Sequence, residues 1–116
     1  MQLTLQDNHI WVSNQAVDFR KSIDGLCSVI SAQFGRNPQE GIYIFHNRTR
    51  DKIKVLGWHR NGFALIYKRL EQGRFHISNH NNDIINLDKR QLSWLLAGLD
   101  WLAMTAWDEL EYDEFY

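Results

Sequence analysis

Between Arg48 and Phe75 the chain carries eight lysines and arginines: Arg48, Arg50, Lys52, Lys54, Arg60, Lys68, Arg69 and Arg74. Interleaved with them are Trp58, Phe63, Tyr67 and Phe75. Cations alternating with rings suit contact with a polyanion: the rings bury on one face while the charges stay available for phosphate. Arg20 and Lys21 add a second basic pair upstream, where an arginine offers a forked donor and a lysine a point charge. The alternative is an ordinary solvated sheet face, since a charged surface is normal for a soluble domain.

The whole-chain net charge of -1 hides a strong polarity. From Val17 to Phe75 there are eleven basic residues against five acids, whereas Asp100 to Tyr116 holds six acids and no base. The acidic end is therefore a rival partner for the basic block. If strands over 52–58 and 63–69 pair around Asn61-Gly62, Lys52 and Lys54 come near Lys68 and Arg69. Like charges across a strand pair are unfavourable unless an anion meets them.

Little points to catalysis. Of the five histidines, only His76 and His80 have a finger-like spacing, and the single Cys27 supplies no cysteine pair for zinc. Asp51 and Glu71 flank the basic strands, but their spacing is wrong for a two-metal nuclease. There is no glycine-rich phosphate loop. Trp58 and Trp101 are candidates for base stacking, with burial in the core as the plainer reading. No catalytic residue, metal ligand or cofactor is expected.

These residues need elements to position them. Asp18 precedes a stripe of Ile23, Leu26, Cys27, Ile30 and Phe34 at 3/4 spacing, which predicts a helix over 19–34 closed by Gly35 and Pro38. Ile10-Trp11-Val12 reads as a short strand and Gly41 to Phe45 as a central one. Lys52–Trp58 and Phe63–Lys68 complete an antiparallel meander with the strand at 41–45. His76 to Asp83 is polar and asparagine-rich, as in a surface loop. Asp88 and Gln91 have capping-box spacing, Leu87 can staple onto Leu92, and Leu92, Leu95, Leu96 and Leu99 form the next apolar stripe. The expected class is α+β: an antiparallel sheet of four or five strands, with helices at 19–34 and 88–99 on one face.

At 116 residues, 44% of them hydrophobic, the chain has the size and composition of one globular domain over 1–116. Its core is expected over about 10–101, with an acidic aromatic tail at 103–116. One cysteine excludes an intrachain disulfide and fits a reducing compartment. The start lacks a leader's charged-then-apolar pattern, and no apolar run approaches the roughly 20 residues of a membrane helix. The expectation is a soluble cytoplasmic protein.

Three blocks carry a family resemblance. The first is Asp18-Phe19-Arg20-Lys21-Ser22-Ile23-Asp24-Gly25-Leu26. The second runs from Arg48 to Phe75, with K-V-L-x-W at Lys54 to Trp58, G-F-x-L at Gly62 to Leu65, and K-R-L-E-x-G-x-F at Lys68 to Phe75. The third is Leu87-x3-Gln91-Leu92-x2-Leu95-Leu96-x-Gly98-Leu99-Asp100-Trp101. In order and spacing, over about residues 10 to 101, the chain resembles the accessory protein of the second open reading frame (TnpB-type) of the sixty-six family of bacterial insertion sequences. It departs from that pattern in its acidic tail and in His76-Ile77-Ser78, where the family has a Trp or Pro.

The resemblance implies a non-enzymatic accessory role in transposition beside a separate, larger transposase. DNA and the element's own proteins are the expected partners. The candidate nucleic-acid-binding set is Arg20, Lys21, Arg48, Lys52, Lys54, Arg60, Lys68, Arg69 and Arg74. Without a recognition helix rich in base-reading side chains, intrinsic sequence specificity is expected to be weak. The alternative is a protein-interaction module that touches no DNA directly.

Overall fold

The computed structural model describes residues 9–77 and 82–106. The elements run β1 (Ile10–Ser13), α1 (Ile23–Ala32), β2 (Ile42–His46), β3 (Lys52–His59), β4 (Gly62–Arg69), β5 (Ile84–Leu87) and α2 (Lys89–Leu96). A further helical segment covers 101–106. The strands form one five-stranded sheet in the order β4-β3-β2-β1-β5.

The sheet is mixed rather than purely antiparallel. β1 pairs with β2 in parallel, with Ile10 opposite Ile42 and Val12 opposite Ile44; the other pairs are antiparallel. The cause is the connection. A helix between two neighbouring strands gives the chain room to return and run the same way, whereas a short turn reverses it. The β2–β3 and β3–β4 connections are short turns, and the latter is Arg60-Asn61, with His59 opposite Gly62.

The helices also cover opposite faces instead of sharing one. Alternation along β2 sends Ile42 and Ile44 to one side, with Leu92 and Leu95 of α2, Phe75, Ile77 and Trp101. Tyr43 and Phe45 point to the other side, with Leu26, Val29 and Ile30 of α1. A strand covered on both faces reads as a continuous apolar run, as β2 does.

α1 is shorter than its apolar stripe predicts. Asp18 accepts the Arg20 amide at 3.0 Å, and the Lys21 amide bonds the Asp18 carbonyl at 3.0 Å. This side-chain turn competes with helix, so α1 begins at Ile23 with Ser22 as N-cap. It also ends two residues short of 34, at Ala32, with the expected glycine stop after it: Gly35 has φ 63, and the Arg36 amide reaches back to the Ile30 carbonyl. The capping box of α2 is complete, with Gln91 N–H to Asp88 Oδ1 at 2.7 Å and Asp88 N–H to Gln91 Oε1 at 2.9 Å. Leu87 and Leu92 share the α2-side core.

Both ends of β2 are sterically or electrostatically exacting. Gly41 sits at φ 116, where a Cβ would come within 2.8 Å of the His9 carbonyl oxygen. Gly41→Ala therefore combines an unfavourable backbone region with a backbone clash and is expected to destabilise by about 1–3 kcal/mol. Chemical denaturation reads this out, and an unchanged midpoint contradicts it.

At the other end His46 is buried, with Nδ1 3.1 Å from the Asn47 carbonyl oxygen and Nε2 3.1 Å from that of Ser13. A neutral ring donates to only one of them. The carbonyls favour a second proton, but burial outweighs them and holds the imidazole below its ordinary 6.5. Its contribution is therefore complete above about pH 6.5 and falls away below, because the unfolded chain takes up the proton first. Lowering the pH from 7.5 to 5.5 is expected to depress the melting temperature of the wild type more than that of His46→Gln. Parallel pH profiles contradict this assignment.

Candidate nucleic-acid interface

The basic residues do not form one face. Cross-strand register sets Lys52 opposite Arg69 and Lys54 opposite Tyr67, on the α1 side, while Lys68 lies opposite Ile53 and faces the α2 side. Arg60 stands at the β3–β4 turn, at the other end of the eight-residue β3 from Arg48. At about 3.3 Å per residue, these two are separated by roughly 25 Å.

Several members of the set serve the fold. Lys54 Nζ donates to the carbonyls of Phe19 at 2.8 Å and Lys21 at 2.7 Å, and lies 4.6 Å from the centre of the Phe19 ring. It clamps the segment that leads into α1. Lys68 Nζ donates to the Leu96 carbonyl, where α2 leaves acceptors unpaired. Arg69 pairs with Glu71 at 2.9 Å. Arg20 forks onto Asp18 at 2.7 Å, not onto Asp24, because it precedes the helix. That pairing holds the Asp18 carboxyl well below the usual carboxylate range.

A concentration of unpaired charge remains at the β2–β3 turn. Asn47 organises this turn. Its carbonyl accepts the Arg50 amide at 3.1 Å, and its side-chain oxygen accepts the Lys52 amide at 3.1 Å. Asn47 Nδ2 donates to Asp51 Oδ1 at 2.7 Å, and Thr49 Oγ1 donates to the same oxygen at 2.7 Å. These donors lower the Asp51 carboxyl to about 2, so Asp51 serves the turn. Arg50 occupies the left-handed region at φ 61.

The segment after β4 is sewn onto this turn. The Leu70 amide bonds the Asp51 carbonyl at 2.8 Å, and the Phe75 amide bonds the Arg50 carbonyl at 2.6 Å. Phe75 and Ile77 are buried, and Trp101 Nε1 donates to the His76 carbonyl at 2.8 Å. Together they frame a cleft of about 580 Å³ lined by Arg48, Arg50, Arg74, His76, Asp100 and Trp101, among others. A second concavity of about 500 Å³ shares Arg48 and Thr49 and is otherwise walled by Asn47 and residues 16–20. Among the described residues, Arg48, Arg50 and Arg74 form no ion pair.

The structure thus brings Arg48 and Arg74 together in one cleft, sets Arg20 beside Arg48 in the other, and leaves Arg60 remote. Arg50 is missing from the sequence-derived set although it stands in the cleft. Its position two residues after Arg48 in a turn that starts at an asparagine is the available signal. Trp101, considered for stacking, is only 4% exposed and belongs to the core. Trp58 is half-buried and packs edge-on against Phe63 at 5.0 Å. The acidic tail beyond 106 lies outside the described residues.

Lys54→Met leaves two backbone carbonyls without their charged donor. After discounting for partial exposure, it is expected to lower stability by about 1–2 kcal/mol. Lys68→Met loses an exposed helix-end contact worth about 0.3–1 kcal/mol. Urea unfolding of both variants checks the order; equal, negligible effects would remove the structural role.

A family model described as "IS66 Orf2 like protein" matches residues 8–106. The uncharacterized protein y4jC of Sinorhizobium fredii is 31% identical over 93 residues, covering 79% of this chain and 80% of that protein. The uncharacterized protein y4hO of the same organism is 30% identical over 97 residues, covering 83% and 84%. No solved structure matches. With the three sequence blocks folded around one sheet, and with the family match spanning all the described residues, the chain belongs to the IS66 Orf2-like family of insertion-sequence accessory proteins.

Proposed function

We propose that this protein is a non-enzymatic accessory factor of insertion-sequence transposition that holds DNA by its phosphates at the β2–β3 end of the sheet and assists the element's transposase there. The observation that carries the reading is the group of Arg48, Arg50 and Arg74, gathered at one cleft without ion pairs among the described residues. The turn beneath them is rigidified by its own side chains, so ordering costs on binding are small. Arginine forks match phosphate oxygens in pairs. Attraction of this kind depends on counterion release and acts on duplexes of any sequence. The protein works in the bacterial cytoplasm, where its single cysteine stays reduced.

A second reading has its own observation. Leu99, Leu102 and Met104 are 44%, 53% and 37% exposed in one short stretch, an apolar surface suited to a protein partner such as the transposase. In that reading DNA is reached only within the complex.

Fluorescence anisotropy on an element-end duplex and a scrambled duplex, across a salt series, separates the two. Salt-sensitive binding to both is expected. Arg48→Glu with Arg74→Glu should weaken it more than tenfold and lower the salt slope by about 1 per lost phosphate contact. Arg60→Glu, at the far end of β3, should have little effect. Absence of binding by the wild type at low salt would overturn direct contact and leave the protein-interaction reading.

A further inference from the structure

Arg48 and Thr49 line both concavities, so the β2–β3 turn is a ridge with a hollow on each side, one holding Arg50 and Arg74 with Asp100 and the other holding Arg20 paired with Asp18. The two hollows lie on opposite faces of the sheet end. One is walled by residues 74–77 and 100–102, whose Phe75, Ile77 and Trp101 belong to the α2-side core. The other is walled by residues 16–20, where Phe19 packs on Tyr67 and receives Lys54 on the α1 side. The ribbon of β2 and β3 does not protrude, because chain is bonded against it up to Asp51. Only the turn and its side chains project.

The chemistry of the ridge is selective. Asn47, Thr49 and Asp51 spend their polar groups on one another and on the turn's backbone. Arg48 is exposed and belongs to neither network nor ion pair among the described residues. A single cation therefore stands on a ridge, with Arg50 and Arg74 on one flank and Arg20 on the other.

We propose that this ridge straddles the minor groove of duplex DNA, with the Arg48 side chain entering the groove and the flanking hollows receiving the two bordering phosphate strands. This inference rests on the phosphate-contact reading above. The minor groove is about 6 Å wide and accepts a guanidinium, while the major groove, about 12 Å wide, is filled by a helix or a free ribbon. Neither projects at this end of the sheet. Narrow A·T-rich minor grooves concentrate negative potential and draw in arginine. The flanks are unequal: Arg20 is already shared with Asp18, whereas Arg74 is without an ion pair among the described residues. The Arg74 side therefore carries more of the binding.

The test uses the full chain and three duplexes of equal length, A·T-rich, G·C-rich and inosine·C, at one low salt concentration. Inosine removes the guanine 2-amino group from the minor groove and leaves the major-groove edge unchanged. The expected result is that the A·T and inosine·C duplexes bind about three- to tenfold tighter than the G·C duplex. Arg48→Ala should erase this preference while keeping weaker, salt-sensitive binding, and Arg74→Ala should cost more affinity than Arg20→Ala. Equal binding of inosine·C and G·C duplexes with salt sensitivity intact overturns the minor-groove assignment and leaves the phosphate reading standing. A preference that survives Arg48→Ala overturns the role of Arg48. No binding to any duplex overturns both this inference and the reading on which it rests.

Discussion

The burial of β2 on both faces is the constraint from which the remaining architecture follows. Every residue of this strand is buried, so its backbone groups must be paired on both edges and its side chains covered above and below. β1 supplies one edge in parallel and β3 the other in antiparallel. α1 covers one face because it is the connection between β1 and β2, and α2 with the 75–77 segment covers the other. The chain at the exit of β2 has no freedom to wander. His46 is tied to Ser13 across the sheet, and Asn47 closes the turn at once.

Charge is divided between the two kinds of cation. Lys54 and Lys68 send flexible stems to backbone carbonyls that the fold would otherwise leave unpaired. An ammonium with rotatable donors suits this work, since it takes acceptors from scattered directions. Arg20, Arg48, Arg50 and Arg74 stand instead at one end of the sheet, where they line two concavities, while Arg60 lies at the far end of β3. An alternating lysine–ring pattern in strands is therefore ambiguous on its own. The same residues suit a polyanion-binding face and a set of internal clamps, and the partners in space decide between them.

Much of the fold was legible from local chemistry. The capping box at Asp88 and Gln91, the Gly35 stop and the apolar run of β2 all depend on neighbours in sequence, and all stand in the structure. The strand direction and the placement of the helices depend on non-local choice. A helix between two strands permits a parallel pair, yet sequence alone does not say that β1 and β2 are the two neighbours. The placement of α1 and α2 on opposite faces follows only once that crossover is known. The start of α1 at Ile23 has a local reason, because Asp18 is equally suited to cap a helix and to close an Asx-type turn, and Arg20 tips the balance by binding it. The candidate site was half legible: composition marked the 48–75 block, but register sent Lys68 to the other face and strand length took Arg60 to the far end.

Parts of the three blocks that carry the family resemblance, far apart in sequence, meet at this same end of the sheet, although the Trp58 and Gly62–Leu65 elements of the second lie at its other end. Asp18 to Arg20 wall one hollow, and Arg74 and Phe75 line the other beside Asp100 and Trp101. Each block also contributes a bond that fixes the frame: Lys54 to the Phe19 and Lys21 carbonyls, Phe75 to Arg50, and Trp101 to His76. A pattern that served stability alone would have no reason to meet at a surface. One that served charge alone would not need the buried Phe75 and Trp101 beneath the arginines. On the proposed phosphate-binding reading the two requirements coincide, because guanidinium groups held on a rigid frame lose their ordering entropy in folding and not again in binding. The motif is thus best understood as a support for the turn, with the apolar and hydrogen-bonding residues holding the arginines at fixed spacing above them.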